Sequence, residues 1–389
     1  MRLLHTSDWH LGRSLLSAPM LEHQRAFLSW LGEQARAHDV AAILVSGDVY
    51  DRAVPAVEAV TLLEDALIDL AARCPVVIVP GNHDSAARLG FGGRLLETAN
   101  VHLRSTVADL DRPVVVSDED VSVAVYGIPF LDPLRVCEEL DAERSHAAVL
   151  DAAVGRIRTD LAARRTVPTD PPVRSVVLAH AFVTGGASSD SERDITVGGV
   201  PDAPVSVFDG IDYVALGHLH RPQTIERRTG AARYSGSPLP YSFSEESHAK
   251  SVTLVHVTPT TVDIEALPTP VPRPLRTITG DLDELLADPQ LTVAEEDWIR
   301  VILTDPTRPE FAMDRLRARF PHTLELTWQP HLDGDPILVQ AVRIDPGRST
   351  PSEVLDGFVE HVTGQQPTTS ERLLIREAIE RQARTEADA

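Results

Sequence analysis

Residues 77–84 read VIVPGNHD. Three β-branched residues, Val77, Ile78 and Val79, run into a Pro-Gly turn and end in Asn82, His83 and Asp84. The first half suits a buried strand. The second half offers side chains that bind metals or protons. One such ending is an ordinary polar turn, but this one recurs. RLLHTSDWH ends in Asp8 and His10, AAILVSGDVYD in Asp48 and Asp51, SVVLAHAF in His180, and DYVALGHLH in His218 and His220.

Helical spacing fills most of the gaps between these runs. Phe27, Leu28, Leu31 and Ala35 mark one helix; Val57, Val60, Leu63, Leu67 and Leu70 a second; Leu150, Val154, Ile157 and Leu161 a third. Strands alternating with helices predict a largely parallel α/β sheet covered on both faces. Ligands of such sheets bind beyond the carboxyl ends of the strands, where the polar residues fall. The stretches TIERRTGAARYSGSP and KSVTLVHVTPTTVDIEAL read as hairpins, predicting a second, more antiparallel sheet behind the first.

The core is expected over residues 1–267. PTPVPRP (268–274) reads as a linker, and 275–345 as a small α/β unit. Helices are expected over 350–389, one capped by Thr350, Pro351 and Glu353 with an apolar stripe of Val354, Leu355, Phe358, Val359 and Val362. A last helix is expected from about Thr368, and GGASSDSERDITVGG (185–199) reads as loop.

Composition bounds the rest. At 43% hydrophobic, the 389 residues suffice for a large core and a smaller domain. No secretory signal or membrane-length apolar run is evident, and only Cys74 and Cys137 are present, so a cytoplasmic protein without a disulfide framework is expected. There are 58 acidic against 36 basic residues, a net charge of −22. That argues against gripping a polyanion by overall field. Phosphate must then be held locally, by metals, placed arginines or a partner. Lys250 is the only lysine; a coding bias toward Arg, Ala, Val and Pro is the plainest account.

Asp, Asn and neutral His together suit divalent Mn, Fe or Zn. Asp8 and His10 are two apart, so on a strand they share a face, as do His218 and His220. Asp48 is the best-placed bridging carboxylate. Two such ions clamp a phosphate and lower the pKa of a bound water, leaving His83 as general acid or phosphate contact. Seven suitable ligands at strand ends, in one order and one expected sheet, speak for a single centre.

The order Asp8-x-His10, Gly47-Asp48-x-x-Asp51, Gly81-Asn82-His83-Asp84, His180, Gly217-His218-x-His220 resembles the calcineurin-like metallophosphoesterase signature. The resemblance implies a four-layer αββα sandwich. It implies one metal on Asp8, His10, Asp48 and His220, and another on Asp48, Asn82, His180 and His218. His83 would be catalytic and Asp51 would orient it. HTSDWHLGR, SDSERDITVGG, DYVALGHLHRPQ and YSGSPLPYSFSE are further similar to the SbcD nuclease-subunit branch.

That branch implies two Mn²⁺ per protomer (Mg²⁺ or Fe²⁺ as substitutes) and a DNA substrate. It also implies a C-terminal cap over 275–345, a tail over 350–389 that docks a long coiled-coil ATPase, and a homodimer within a heterotetramer. The dimer would use helices around 56–72 and 86–98, with Leu62, Ala66 and Ile68 expected to be exposed. Arg13, Arg52, Arg88 and Arg221 follow ligand motifs and are candidates for DNA phosphates. GDVYDR also resembles the GDxVDR of Ser/Thr phosphatases, although GNHD stands where those have GNHE. A protein or small-molecule phosphoesterase, or a non-catalytic scaffold, are the alternatives.

Overall fold

The computed structural model describes residues 1–166, 171–192 and 203–330, with 355–357, 359, 366–374 and 376. It divides into two compact units, Met1–Thr304 with Pro309–Gln329, and Asp305–Arg308 with Pro330–Ala389.

In the first unit the apolar runs form two six-stranded sheets. The parallel strands Arg2–Thr6, Ala42–Ser46 and Val76–Val79 lie side by side in the first sheet, extended at one edge by Val101–Leu103. Val173–His180 and Tyr213–Gly217 are parallel neighbours in the second sheet, flanked by Ser122–Ile128 and Ala231–Tyr234. The strand ends therefore come from two sheets, where one was expected. Both predicted hairpins form, but neither builds a sheet of its own. Gln223–Ile225 with Ala231–Tyr234 edges the second sheet, and Ser251–Val257 with Val262–Pro268 edges the first.

Three cores explain this layering. Leu3, Leu44, Val77 and Val79 pack against Val123, Val125, Val176, Leu178 and Ala215 between the sheets. Alternate residues of the first sheet, Leu4, Ile43, Val45 and Ile78, pack on the helices Leu21–Ala37 and Val57–Ala71. Tyr126, Val177, Ala179 and Val214 of the second sheet pack on Pro133–Leu140 and His146–Thr166. The central strands are apolar on both sides because both faces of each sheet are covered there. Fully burying one Val, Leu or Ile side chain contributes about 1.5–3 kcal/mol. The order is helix, sheet, sheet, helix.

The helix Val57–Ala71 is turned relative to the expectation. Ala59, Leu62, Leu63, Ala66 and Leu70 are buried, while Val57, Val60 and Ile68 are 76%, 43% and 67% exposed. Apolar residues lie on more than one face of this helix, so spacing alone did not identify the covered one. Leu62 and Ala66, expected outside, are inside; Val57 and Val60, expected inside, are outside.

Over residues 275–329 strands and helices alternate as expected, but they fall within the first compact unit and not in a separate one. Leu275–Gly280, Trp298–Leu303 and Thr323–Trp328 make a parallel three-stranded sheet with the helices Leu282–Ala287 and Ala312–Arg319. Its core is Ile278, Leu282, Ile299, Val301, Leu316 and Phe320. Leu275 and Trp298 cluster with Leu15, Met20, Leu239, Tyr241 and Phe243 of the main core. In the second unit, Thr368 N–H and Oγ donate to Glu371 and residues 369–374 are helical, as read. The cap at Thr350, Pro351 and Glu353, with Val354, Phe358 and Val362, lies outside the described residues, as do 331–345 and the second half of the 185–199 loop.

Candidate metal centre

The strands of both sheets deliver their carboxyl ends to one place. Ser46 Oγ donates to the Ala215 carbonyl at 2.8 Å, tying one sheet to the other. A Cβ on Gly217 would lie 1.8 Å from the Ser46 carbonyl oxygen, so only glycine permits this approach. Likewise a Cβ on Gly81 would lie 2.1 Å from Asp48 Oδ1.

Apart from His180, the last residue of the strand Val173–His180, the ligand candidates lie just past the strands, not on them. Arg2–Thr6 and Tyr213–Gly217 end before Asp8 and His218. The face-sharing expected of Asp8/His10 and His218/His220 is therefore not a strand pleat. Asp8, His10, Asp48 and His218 have φ of 54°, 45°, 49° and 113°, a left-handed backbone that turns their side chains inward. Such conformations cost of order 1–3 kcal/mol each and are over-determined by their surroundings. Here Asp8 N–H donates to the Gly47 carbonyl at 3.0 Å and His10 N–H to the Asp48 carbonyl at 2.9 Å.

Asp48 sits at the middle. Its Oδ2 is 3.7 Å from His10 Nε2, 3.6 Å from His180 Nε2 and 3.9 Å from His83 Nε2. Its Oδ1 accepts from His83 N–H at 2.8 Å. On one side, His10 Nε2 and His220 Nε2 are 3.0 Å apart beside Asp8. On the other, Asn82 Oδ1 is 2.9 Å from His180 Nε2 and 3.3 Å from His218 Nδ1. All seven predicted ligands come together, and they fall into two groups that share Asp48.

The electrostatics suit cations. Burial holds the imidazoles of His10 and His218 well below their usual value and lowers that of His180, leaving neutral rings with lone pairs to offer. Burial also pushes the Asp8 carboxyl up to about 6, against the pull of His180 and His220. His180 Nδ1 faces the Ser46 carbonyl at 2.9 Å, and a carbonyl can only accept. His180 is thereby fixed with its proton outward and Nε2 inward. His220 Nδ1 faces Ser191 Oγ at 2.7 Å and Glu245 Oε1 at 3.4 Å. For His220 burial works downward, but the Glu245 carboxylate outweighs it and raises the pKa. His10 Nδ1 is buried without a hydrogen-bond partner. Carboxylate and imidazole lone pairs crowded this closely around Asp48 fit divalent cations.

Asp51 and the arginines are placed differently from one another. His83 Nδ1 faces the main-chain carbonyl of Asp51 at 2.7 Å, while the Asp51 carboxylate lies 4.0 Å from His10 Nδ1 and 3.8 Å from Arg13 Nε. Asp51 thus has a main-chain contact with His83. Arg13 lies over the Tyr241 ring at 5.2 Å and donates to the Ser191 carbonyl at 2.9 Å. Arg88 donates to the Ala53 carbonyl, Arg52 pairs with Asp51 at 3.4 Å, and Arg221 is exposed.

Three contributors were not assigned roles from sequence. Asp84 staples two ligand loops, its carboxylate accepting from Gly81, Val49 and Tyr50 N–H at 2.9, 3.0 and 2.9 Å. Glu245 and Lys250 form a buried ion pair behind His220. Burial alone would raise the Glu245 carboxyl, but Lys250 and His220 together hold it well below the carboxylate range. The signal for Lys250 was present, since it is the sole lysine.

Over residues 1–222 the chain matches the calcineurin-like phosphoesterase family. The chain belongs to that family. It is therefore a metal-dependent phosphoesterase. Residues 271–363 match a second family, described as the type 5 capsule protein repressor C-terminal domain. The SbcD subunit of nuclease SbcCD from Staphylococcus saprophyticus is 28% identical over 375 residues, covering 95% of this chain and 96% of that one. The resemblance to SbcD nuclease subunits thus extends over nearly the whole phosphoesterase chain. Among solved structures, a dimetal phosphatase from Danio rerio is 12% identical with a TM-score of 0.43, covering 69% of this chain and 96% of that one. Phosphopantetheinyl hydrolase from Mycobacterium tuberculosis is 15% identical with a TM-score of 0.33, covering 61% and 89%. Among the described residues, no helix is long and apolar enough to cross a membrane.

Proposed function

We propose that this phosphoesterase is the nuclease component of an SbcCD-type complex. It would hydrolyse DNA phosphodiesters, 3′→5′ from duplex ends and endonucleolytically on single strands and hairpins, in repair and recombination. The observation that carries the reading is the extent of the likeness to the SbcD subunit of nuclease SbcCD. It runs through 95% of the chain, past the phosphoesterase core. A generic phosphatase would need only the core.

Asp8, His10, Asp48 and His220 would hold one cation, and Asp48, Asn82, His180 and His218 the other. Two Mn²⁺ suit this oxygen and imidazole set, with Mg²⁺ or Fe²⁺ as substitutes. When bound, such ions supply positive charge at the scissile phosphate and lower the pKa of the attacking water. The protein's own task is to orient and to move a proton. His180 and His220 are held in the tautomers that turn Nε2 inward. His83 keeps its Nδ1 proton on the Asp51 carbonyl and presents Nε2 beside Asp48; in its doubly protonated form it would give the Nε2 proton to the leaving 3′-oxygen and be left as the neutral Nδ1–H ring.

Exposed Arg52, Arg88 and Arg221 are the candidates for DNA phosphates, and Arg13, partly buried against Tyr241 and Ser191, is the weakest. With a net charge of −22, the chain leaves most phosphate neutralisation to a coiled-coil ATPase of the SbcC type. The 275–345 unit would face DNA as a cap and the 350–389 tail would dock the ATPase. The assembly is a homodimer within a heterotetramer, cytoplasmic and nucleoid-associated. Incubation with a labelled DNA hairpin and Mn²⁺, alongside nitrophenyl phosphate esters, tests the substrate class. Cleavage of the hairpin is expected. Turnover of the esters alone would favour a small-molecule phosphoesterase.

A further inference from the structure

Lys250 is the only lysine in the chain, and it is 5% exposed. Its ammonium donates to the His220 carbonyl at 3.0 Å and to Ser237 Oγ at 2.8 Å, and it pairs with the Glu245 carboxylate. An ammonium has three protons on a tetrahedral nitrogen, and here three acceptors meet them. A planar guanidinium would bring five donors into the same space and leave some buried without acceptors. That is a physical reason for this position to keep lysine while every other Lys or Arg position holds arginine.

The far side of Glu245 completes the chain of contacts. Its Oε1 accepts from Tyr241 N–H at 3.2 Å and faces His220 Nδ1 at 3.4 Å. An ionised carboxylate there favours a ring proton on Nδ1, which Ser191 Oγ at 2.7 Å can also accept, and this leaves Nε2 for the centre. Lys250 therefore reaches His220 twice, through the Glu245 carboxylate and through the main-chain carbonyl. A lysine serving only to fill space or satisfy one acid would need neither the His220 carbonyl nor a partner bound to the ring.

We propose that Lys250 is a positioning residue for the cation site of Asp8, His10 and His220, acting through Glu245 to fix the His220 ring and through the carbonyl to fix its main chain. This rests on reading those three residues as ligands. Metal analysis and calorimetric titration with Mn²⁺ test both layers separately. The wild-type chain is expected to take up two ions; uptake of none would overturn the reading of the centre and the proposal with it. Lys250→Met is expected to bind one of the two ions about 10–100-fold more weakly while the other is unchanged.

Lys250→Met strands a buried carboxylate and can fail to fold. The double variant Lys250→Met/Glu245→Gln removes both charges. It is expected to melt near the wild-type temperature and still bind one ion about 10–100-fold more weakly. If either folded variant bound both ions with wild-type affinity, Lys250 would be a structural ion-pair residue only and the proposal would be overturned.

Discussion

His83 Nδ1 lies 2.7 Å from the main-chain carbonyl oxygen of Asp51. Because that oxygen can only accept, Nδ1 keeps a proton, and any proton passed to substrate must be a second one carried on Nε2, the atom turned toward Asp48 Oδ2, 3.9 Å away. The ring's orientation is thus written into the backbone of the Asp48–Asp51 turn. The Asp51 side chain faces His10 and Arg13 instead.

Replacing His83 with Gln keeps a hydrogen-bonding side chain but removes the titrating nitrogen. Cleavage is expected to fall about 10²–10⁴-fold, the usual worth of a positioned proton donor. Mn²⁺ stoichiometry and DNA affinity should stay near wild type. Asp51→Asn, which leaves the carbonyl in place, is expected to cost far less. Equal losses for the two variants in single-turnover assays would contradict the main-chain route.

Asn82→Ala and His218→Ala should behave in the opposite way, losing metal first and activity as a result. Asn82 Oδ1 meets both His180 Nε2 and His218 Nδ1, so removing either residue opens one side of the centre. Asp48→Ala is expected to weaken both ions, since its Oδ2 lies near His10 on one side and His180 on the other. Mn²⁺ counts per chain should read near one for the first two variants and near zero for the third. Two retained ions in Asn82→Ala would remove Asn82 from the ligand set.

The centre was legible in the sequence because each ligand follows an apolar, β-branched run, and that contrast survives without coordinates. The geometry was not. Asp8 and His10 share a face through left-handed backbone, which an aspartate or histidine does not announce as a glycine does. The two-sheet origin of the ligands was hidden as well. Val173–His180 and Val76–Val79 carry the same apolar pattern, and only register shows that they belong to different sheets. Glu245 and Lys250 act from behind His220, 25 and 30 residues along the chain, and spacing says nothing of such contacts.

In the proposed homodimer the outward stripe of Val57–Ala71 would be the contact face. Val57, Val60 and Ile68 are exposed on this helix, and Phe91 and Leu95 nearby in sequence are 85% and 77% exposed. Exposed apolar stripes of this kind mark interaction surfaces. Ile68→Glu with Phe91→Glu is expected to shift the chain from dimer to monomer in light scattering at tens of micromolar. Per-chain Mn²⁺ binding should be unaffected. A wild-type chain that is monomeric under the same conditions would sink the dimer.

Removal of residues from about 350 onward should leave Mn²⁺ binding and hairpin cleavage intact while abolishing co-purification with a coiled-coil ATPase. The motive is the apolar stripe Val354, Leu355, Phe358 and Val362 in the sequence. If truncation cost solubility or folding instead, the stripe would belong to this chain's own core.

Asp84 gives a sharper separation of structure from chemistry. Its carboxylate accepts three main-chain N–H groups, from Gly81 on its own turn and from Val49 and Tyr50 on the neighbouring one. Those turns carry Asn82 and His83 on one side and Asp48 on the other, so Asp84 fixes their spacing without touching substrate. Asp84→Ala leaves the three donors without this acceptor. An unsatisfied buried donor costs about 1–3 kcal/mol, so the melting temperature should drop by several degrees even if water recovers part of the loss. Mn²⁺ affinity should fall with it, because Asp48 and Asn82 lose their common brace. At saturating Mn²⁺ and below the melting transition, however, the His83 proton donor is still in place and the cleavage rate should largely recover. A rate that stayed as low as that of His83→Gln under those conditions would mean that Asp84 takes part in the chemistry itself.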